Sequence, residues 1–184
     1  SKSQSVIFAH QDLSDLEKLL QHTPCNGNRF IVTESLFSMD GDLTDLPNLC
    51  ALAEAHNALV IIDEAHATGL YGSQGAGRVQ ELGLEEKVLA TVHTGGKALG
   101  VGGAWVASSQ PLIDYLVNFC RSFIYSTAPI PALAGALLEA IKLRSELDEA
   151  VEHLHALSQF MRDELNQHGI DTLGSASQII PVLL

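Results

Sequence analysis

Residues 58–66 read Ala58-Leu59-Val60-Ile61-Ile62-Asp63-Glu64-Ala65-His66. Five apolar residues in a row, three of them β-branched, suit a strand buried on both faces, as in a parallel sheet covered by helices. The run ends on two acids and a histidine. In an open parallel sheet, ligands bind beyond the carboxyl ends of the strands, so this strand delivers Asp63 and His66 to the place where a site is expected. A carboxylate there needs a cationic or N–H partner to offset its lost hydration. A second reading makes Asp63 an N-cap for a following helix and His66 a satisfied packed histidine. This stretch alone leaves both open.

Outward from this strand, helix and strand signals alternate. Leu13, Leu16, Leu19 and Leu20 recur at helical spacing behind Asp12, a suitable N-cap. Phe30–Val32 is a short β-type run. Leu46, Leu49, Leu52 and Ala53 form another helical face that ends near His56-Asn57. Val88–Val92 and Ala104–Ala107 are further strand candidates. Helices are expected over Leu112–Cys120, over Pro131–Glu146 with proline confined to the first turn, and over Val151–Leu165 with a stop at Gly169. Alternating units of this kind predict an α/β fold with a mostly parallel sheet flanked by helices. The chain begins without Met, and Ile179–Leu184 reads as a buried strand cut short. Both features lead us to expect a piece of a longer protein.

Composition narrows the function. The chain has 184 residues, 46% apolar and 17% charged, which excludes a disordered chain. Its formal charge of -12 makes wrapping nucleic acid or docking on an anionic membrane a poor fit. Cys25, Cys50 and Cys120 match no disulfide or zinc framework, so a reducing, cytoplasmic location is expected. The apolar runs are far too short for a membrane span, and Ser1-Lys2-Ser3-Gln4 leads into no signal-peptide core.

A second cluster follows a strand: Val92-His93-Thr94-Gly95-Gly96-Lys97-Ala98-Leu99-Gly100. Glycines let backbone approach a ligand closely, and a confined lysine can act as a nucleophile toward a carbonyl. The bland reading is a solvated loop lysine. Gly96-Lys97 is no phosphate loop, because Thr91 stands at the first glycine position and Ala98 at the hydroxyl position. Asp40-Gly41-Asp42 followed by Asp45 fails as a calcium loop, since Ala51 occupies its twelfth position. That stretch is expected to be a turn leading into a helix. The eight histidines have no metal-ligand spacing, and His153 and His155 are expected on a solvated helix face, so no metal is anticipated. Ser35 and Ser38 lack a nucleophile elbow.

Together these segments resemble a known family. Val32-Thr33-Glu34-Ser35-Leu36-Phe37-Ser38-Met39-Asp40-Gly41-Asp42, Asp63-Glu64-Ala65-His66-Ala67-Thr68-Gly69, Thr94–Gly100 and Tyr125-Ser126-Thr127 resemble the α-oxoamine synthases, which are fold-type I pyridoxal-phosphate enzymes. The resemblance runs from about His10 to the last residue. It implies a large domain of that fold over residues 1–168 and the start of a C-terminal small domain over 169–184. It implies pyridoxal 5'-phosphate as cofactor, held covalently by Lys97. Asp63 would pair with the pyridine nitrogen, His66 would hydrogen-bond the phenolic oxygen, Ser38 would sit beside the ring and Thr94 near the phosphate. By strand alternation, Glu64 is expected to point to the other side of the strand or into a helix start, with a milder effect when lost. Gly100-Val101-Gly102-Gly103-Ala104 and Ser126-Thr127-Ala128 favour the biotin-synthesis branch. That branch condenses L-alanine with pimeloyl-CoA or pimeloyl-acyl carrier protein to give 8-amino-7-oxononanoate. Glycine C-acetyltransferase is the runner-up, and an inactive fragment or pseudo-enzyme is the non-enzyme alternative. The resemblance also implies a homodimer that brings Tyr125–Thr127 to the phosphate of its partner. The resemblance places the family's glycine-rich segment and ring-stacking histidine before this portion and its carboxylate-binding arginine after it. None of Arg29, Arg78, Arg121, Arg144 and Arg162 matches that arginine, so no turnover is expected from this chain alone.

Overall fold

The computed structural model describes residues 4–183. The first half follows a helix–strand alternation: α1 (Leu13–His22), β1 (Arg29–Glu34), α2 (Leu46–Ala55), β2 (Ala58–Asp63), the short α3 (Arg78–Glu81) and β3 (Ala90–Thr94). A hairpin then leads to β4 (Ala104–Ser108). Four helices follow: α4 (Gln110–Phe119), α5 (Arg121–Ile124), α6 (Pro131–Arg144) and α7 (Asp148–Gln167). The Asp12 cap anticipated from sequence is present, and a second cap forms at Asp45. Asp12 accepts the Asp15 N–H at 2.9 Å, and Asp45 does the same for Asn48 ahead of Pro47.

The strands form one four-stranded sheet in the order β1-β2-β3-β4. β1 and β3 both run parallel to β2, whereas β4 is antiparallel to β3, so the sheet is mostly parallel as expected. Strand alternation divides its residues between two faces. Ile31, Val60 and Ile62 pack on Leu16, Leu20, Leu46, Leu49, Ala53 and Val79, which makes this face the core. The opposite face exposes Phe30, Val32, Leu59 and Val106. The reading of β2 as buried on both faces is therefore corrected: Val60 and Ile62 are buried, but Leu59 is 37% exposed.

Other boundaries shift for local reasons. The third strand starts at Ala90 rather than Val88, because Glu85–Lys87 forms a 3-10 turn immediately before it. The helix expected over Leu112–Cys120 ends at Phe119, where Cys120 turns extended and opens α5. The strand expected over Ile179–Leu184 is not a strand over 179–183, and Leu184 lies outside the described residues. The preceding segment is held by other partners instead. Ala176 donates its N–H to the Gly41 carbonyl at 3.1 Å, Arg162 donates to the Ser177 carbonyl, and Gln178 Nε2 donates to the His66 carbonyl at 3.0 Å. Among the described residues no helix is long and apolar enough to cross a membrane.

Candidate active site

β1 and β2 end in register, with Glu34 opposite Asp63, and Asp63 in turn faces Val92 of β3. Paired residues share a face, so Glu34 and Asp63 stand side by side on the open face of the sheet. Asp63 is half-buried. Its Oδ1 accepts the Ala65 N–H at 2.8 Å, which turns the chain at the strand end. Its other oxygen has no protein partner among the described residues.

The next turn brings His66 back toward Asp63. Burial lowers the His66 pKa first, and the positive charge of Lys97 lowers it further, while Asp63 opposes both. The Glu34 carboxyl is pushed up by burial and by Asp63, and pulled down by the Ser38 N–H and by Lys97. Lys97 thus lies within electrostatic reach of Glu34 and His66, although it belongs to a different strand connection. These charges join the two clusters that the sequence held apart.

Lys97 sits on the loop between β3 and β4. Thr94 Oγ1 donates to the Gly103 carbonyl and accepts the Gly96 N–H, both at 3.2 Å. The Gly95 N–H donates to the Gly103 carbonyl at 2.9 Å, and Gly100 closes a turn onto the Lys97 carbonyl at 3.0 Å. Only glycine fits at 95, because a Cβ there would stand 2.5 Å from the Val101 carbonyl oxygen and 2.8 Å from Leu137 Cδ1. Thr94 therefore shapes the lysine loop. Lys97 itself is exposed, not confined as its glycine setting suggested. Ser38 is also exposed, in the turn after β1.

Glu64 points to the other side of the strand end from Asp63, as expected. It is fully buried, accepting from Ser35 Oγ at 2.6 Å, from the Arg78 N–H at 3.1 Å and from the Val79 N–H at 2.7 Å. It anchors the glycine-rich loop 69–77 to the ends of β1 and β2. Gly77 is required here, since its φ is +111° and a Cβ would meet the Glu64 carboxylate at about 3 Å. The lone signal in the sequence was an acid beside a strand-end acid, which does not say what partners the side chain finds. His155 corrects the sequence reading: it packs edge-on against Tyr71 with centroids 5.1 Å apart, rather than on a solvated face.

His10 approaches the Asp40-Gly41-Asp42 turn, with its Nε2 2.8 Å from Asp42 and 3.7 Å from Asp40. The turn itself forms as expected, closed by Phe37 N–H to Asp42 carbonyl at 3.0 Å. Four of the five arginines donate hydrogen bonds within the chain, and the exposed Arg121 has only a ring contact. Arg29 binds the Thr23 carbonyl, Arg78 pairs with Glu81, Arg121 lies over the Tyr125 ring, Arg144 ties α6 to the Gly69 carbonyl, and Arg162 holds Ser177. A cleft of about 470 Å³ beside Arg144 and a cavity of about 600 Å³ beside Thr91 and His93 are lined by neither Asp63, His66 nor Lys97.

The donor set at the strand ends suits pyridoxal phosphate. It offers an exposed amine, a carboxylate with one oxygen free of protein partners, and a half-buried histidine kept toward its neutral form. The family model for aminotransferase class I and II matches residues 2–184.

The chain belongs to the aminotransferase class I and II family.

Among curated members of this family, the 8-amino-7-oxononanoate synthase of Thermosipho melanesiensis is 40% identical over 184 residues, covering 100% of this chain and 47% of that protein. Among solved structures, a serine palmitoyltransferase of S. paucimobilis with a bound PLP–myriocin aldimine superposes with a TM-score of 0.87 at 28% identity, covering 96% of this chain and 46% of that one. The 8-amino-7-oxononanoate synthase of Francisella tularensis gives 0.77 at 29% identity, covering 90% and 48%. The fold-type I architecture and the cofactor expected from the sequence agree with these relatives. The chain spans about half the length of the curated relatives it matches.

Proposed function

We propose that this chain carries the cofactor-holding centre of an α-oxoamine synthase that condenses L-alanine with a pimeloyl thioester, releasing the carrier thiol, carbon dioxide and 8-amino-7-oxononanoate. The observation that carries the reading is that Lys97, from the loop after β3, lies within electrostatic reach of His66 at the end of β2 and of Glu34, which stands beside Asp63. When bound, pyridoxal phosphate supplies an electron sink for the substrate's α-carbon. Lys97 binds it covalently through its amine. Asp63 has one oxygen engaged by Ala65 and offers the other to the pyridinium N–H, where a full negative charge keeps that proton in place. His66, held toward neutrality, donates a hydrogen bond to the phenolic oxygen. Ser38 would sit beside the ring, and Thr94 would lie near the phosphate. The Lys97 amine would also serve as the base for the substrate's α-proton.

The identity to curated 8-amino-7-oxononanoate synthases supports alanine and a pimeloyl thioester, on either coenzyme A or acyl carrier protein. The likeness to serine palmitoyltransferase favours a second reading, a related synthase using another amino acid and acyl chain. We further infer a homodimer in which the exposed Tyr125, with Ser126 and Thr127, reaches the partner's phosphate site.

Borohydride reduction of the chain mixed with pyridoxal phosphate, followed by peptide mass mapping, tests the centre. The pyridoxyl group is expected on Lys97; labelling at Lys87 or Lys142 instead would sink the assignment. For turnover, carbon dioxide release from L-alanine and a pimeloyl thioester is compared with release from serine and glycine. The isolated chain is expected to release none, because the resemblance assigns the family's substrate-binding arginine to none of the five arginines present. Positioning of a substrate is worth many powers of ten in rate. Release at an enzymatic rate would overturn this division of the site.

A further inference from the structure

His93 lies on β3, one residue before Thr94 and four before Lys97, and faces away from Asp63 into the protein. It is buried, and both ring nitrogens have partners: Nδ1 is 2.9 Å from Thr68 Oγ1 and Nε2 is 2.8 Å from Thr91 Oγ1. The ring stacks on Trp105 of β4, with centroids 5.2 Å apart and planes at 8°. Trp105 is the chain's one tryptophan.

The proton positions follow from counting donors. A threonine hydroxyl has one proton. Thr68 donates its proton to the Glu64 carbonyl at 2.7 Å. Toward His93 it can only accept, so Nδ1 carries a hydrogen. In the neutral ring Nε2 is then a lone pair, and it accepts from Thr91 Oγ1–H. Every polar atom in this buried chain is satisfied by one tautomer of the uncharged imidazole.

We infer that His93, as the neutral Nδ1–H tautomer, is a positioning residue that locks β3, which leads through Thr94 into the Lys97 loop, to the turn after Asp63 that bears His66. The inference rests on the reading of those residues as the cofactor centre. Thr68 is two residues beyond His66, and Thr91 is on the strand that leads into the Lys97 loop, so the imidazole bridges the two arms of the site from behind.

Charging the ring would disturb this bridge. Nε2–H would then point at a hydroxyl that now donates to it, and Thr91 would have to turn. Burial disfavours the charged ring, while Asp63 at the end of β2 favours it. The other charged groups nearby are acids. Glu64 is committed to Ser35, Arg78 and Val79, and Glu85 and Glu86 line the cavity that His93 and Thr91 also border. Acid therefore loosens the lock at a pH below the ordinary histidine range of about 6.5.

Three readouts on the 184-residue chain test this. Long-range ¹H–¹⁵N NMR of the histidines at neutral pH should show His93 uncharged with its proton on Nδ1; an Nε2–H tautomer or an imidazolium would overturn the assignment. Trp105 fluorescence should be quenched as the stacked ring charges in acid, and His93→Gln should abolish that step; an unchanged titration in His93→Gln would overturn it. Neither measurement needs cofactor. Thr68→Val should weaken pyridoxal-phosphate capture at Lys97 about tenfold, the equivalent of one buried hydrogen bond, and Thr68→Ser should restore it. Undiminished capture by a folded Thr68→Val overturns the positioning role. A wild-type chain that captures no cofactor overturns the cofactor reading and the positioning role together, and leaves the tautomer result standing.

Discussion

Glu64 and Asp63 are adjacent acids with opposite fates. Asp63 keeps one oxygen free on the open face, while Glu64 is wholly buried on three donors. Burial pushes the Glu64 carboxyl up, and the Ser35 hydroxyl and two backbone N–H groups pull it back only in part. Glu64→Gln places an amide group against backbone donors and is expected to cost about 1–3 kcal/mol. Urea unfolding measures it, and a midpoint equal to wild type would remove the anchoring role. Lys97 allows a sharper test of the site. Its charge is one cause of the low His66 pKa, so Lys97→Met should raise that pKa in an NMR titration. An unmoved His66 would mean that the two do not share a site. Asp63, His66 and Lys97 were legible as candidates because each follows an apolar run at a strand end. The roles of Glu64 and His93 were not, because their partners Ser35, Thr68 and Arg78 are near only after folding.

At the scale of elements, the β3–β4 hairpin fixes where the lysine stands. Gly95 lies where the strand gives way to the loop, with Val101 and Leu137 against the position of its missing side chain. Gly95→Ala forces the loop or α6 to move, and overpacking of this kind costs roughly 1–3 kcal/mol. The expected outcome is a lower unfolding midpoint together with weaker borohydride-trapped labelling of Lys97. Normal labelling would show that the loop tolerates the shift. Helices were well read from leucine spacing and caps, since both are local signals. The end of α4 at Cys120, the late start of β3 and the unpaired course of 179–183 were not, because tertiary partners decide them.

For the molecule as a whole, acid should act through the buried histidines. His93 and His66 have pKa values below their unfolded ones, so the unfolded chain binds more protons. Their contribution to stability is full above about pH 6.5 and is lost as pH falls through the folded values. Glu34 and Glu64 act in the reverse sense: their raised values favour the fold at low pH, and that gain is lost as pH rises above about 4.5. The variant isolates the histidine part. Between pH 7.5 and 5.5, wild type should lose more stability than His93→Gln, as read from urea midpoints. Parallel loss in both would show that His93 does not titrate with folding.

The alternation of apolar runs with helical spacing determined the class of fold, because parallel strands and their covering helices each carry a local period. The strand-end letters determined the kind of chemistry, because few residue sets pair an acid, a histidine and a glycine-flanked lysine. Tertiary structure alone decided that the second acid is buried on three donors. It also decided that one face of the sheet is packed while the other stays open, and that a histidine with no motif of its own bridges two strands. These depend on register and on hydroxyl and backbone partners distant in sequence, and no period or motif along the chain encodes them.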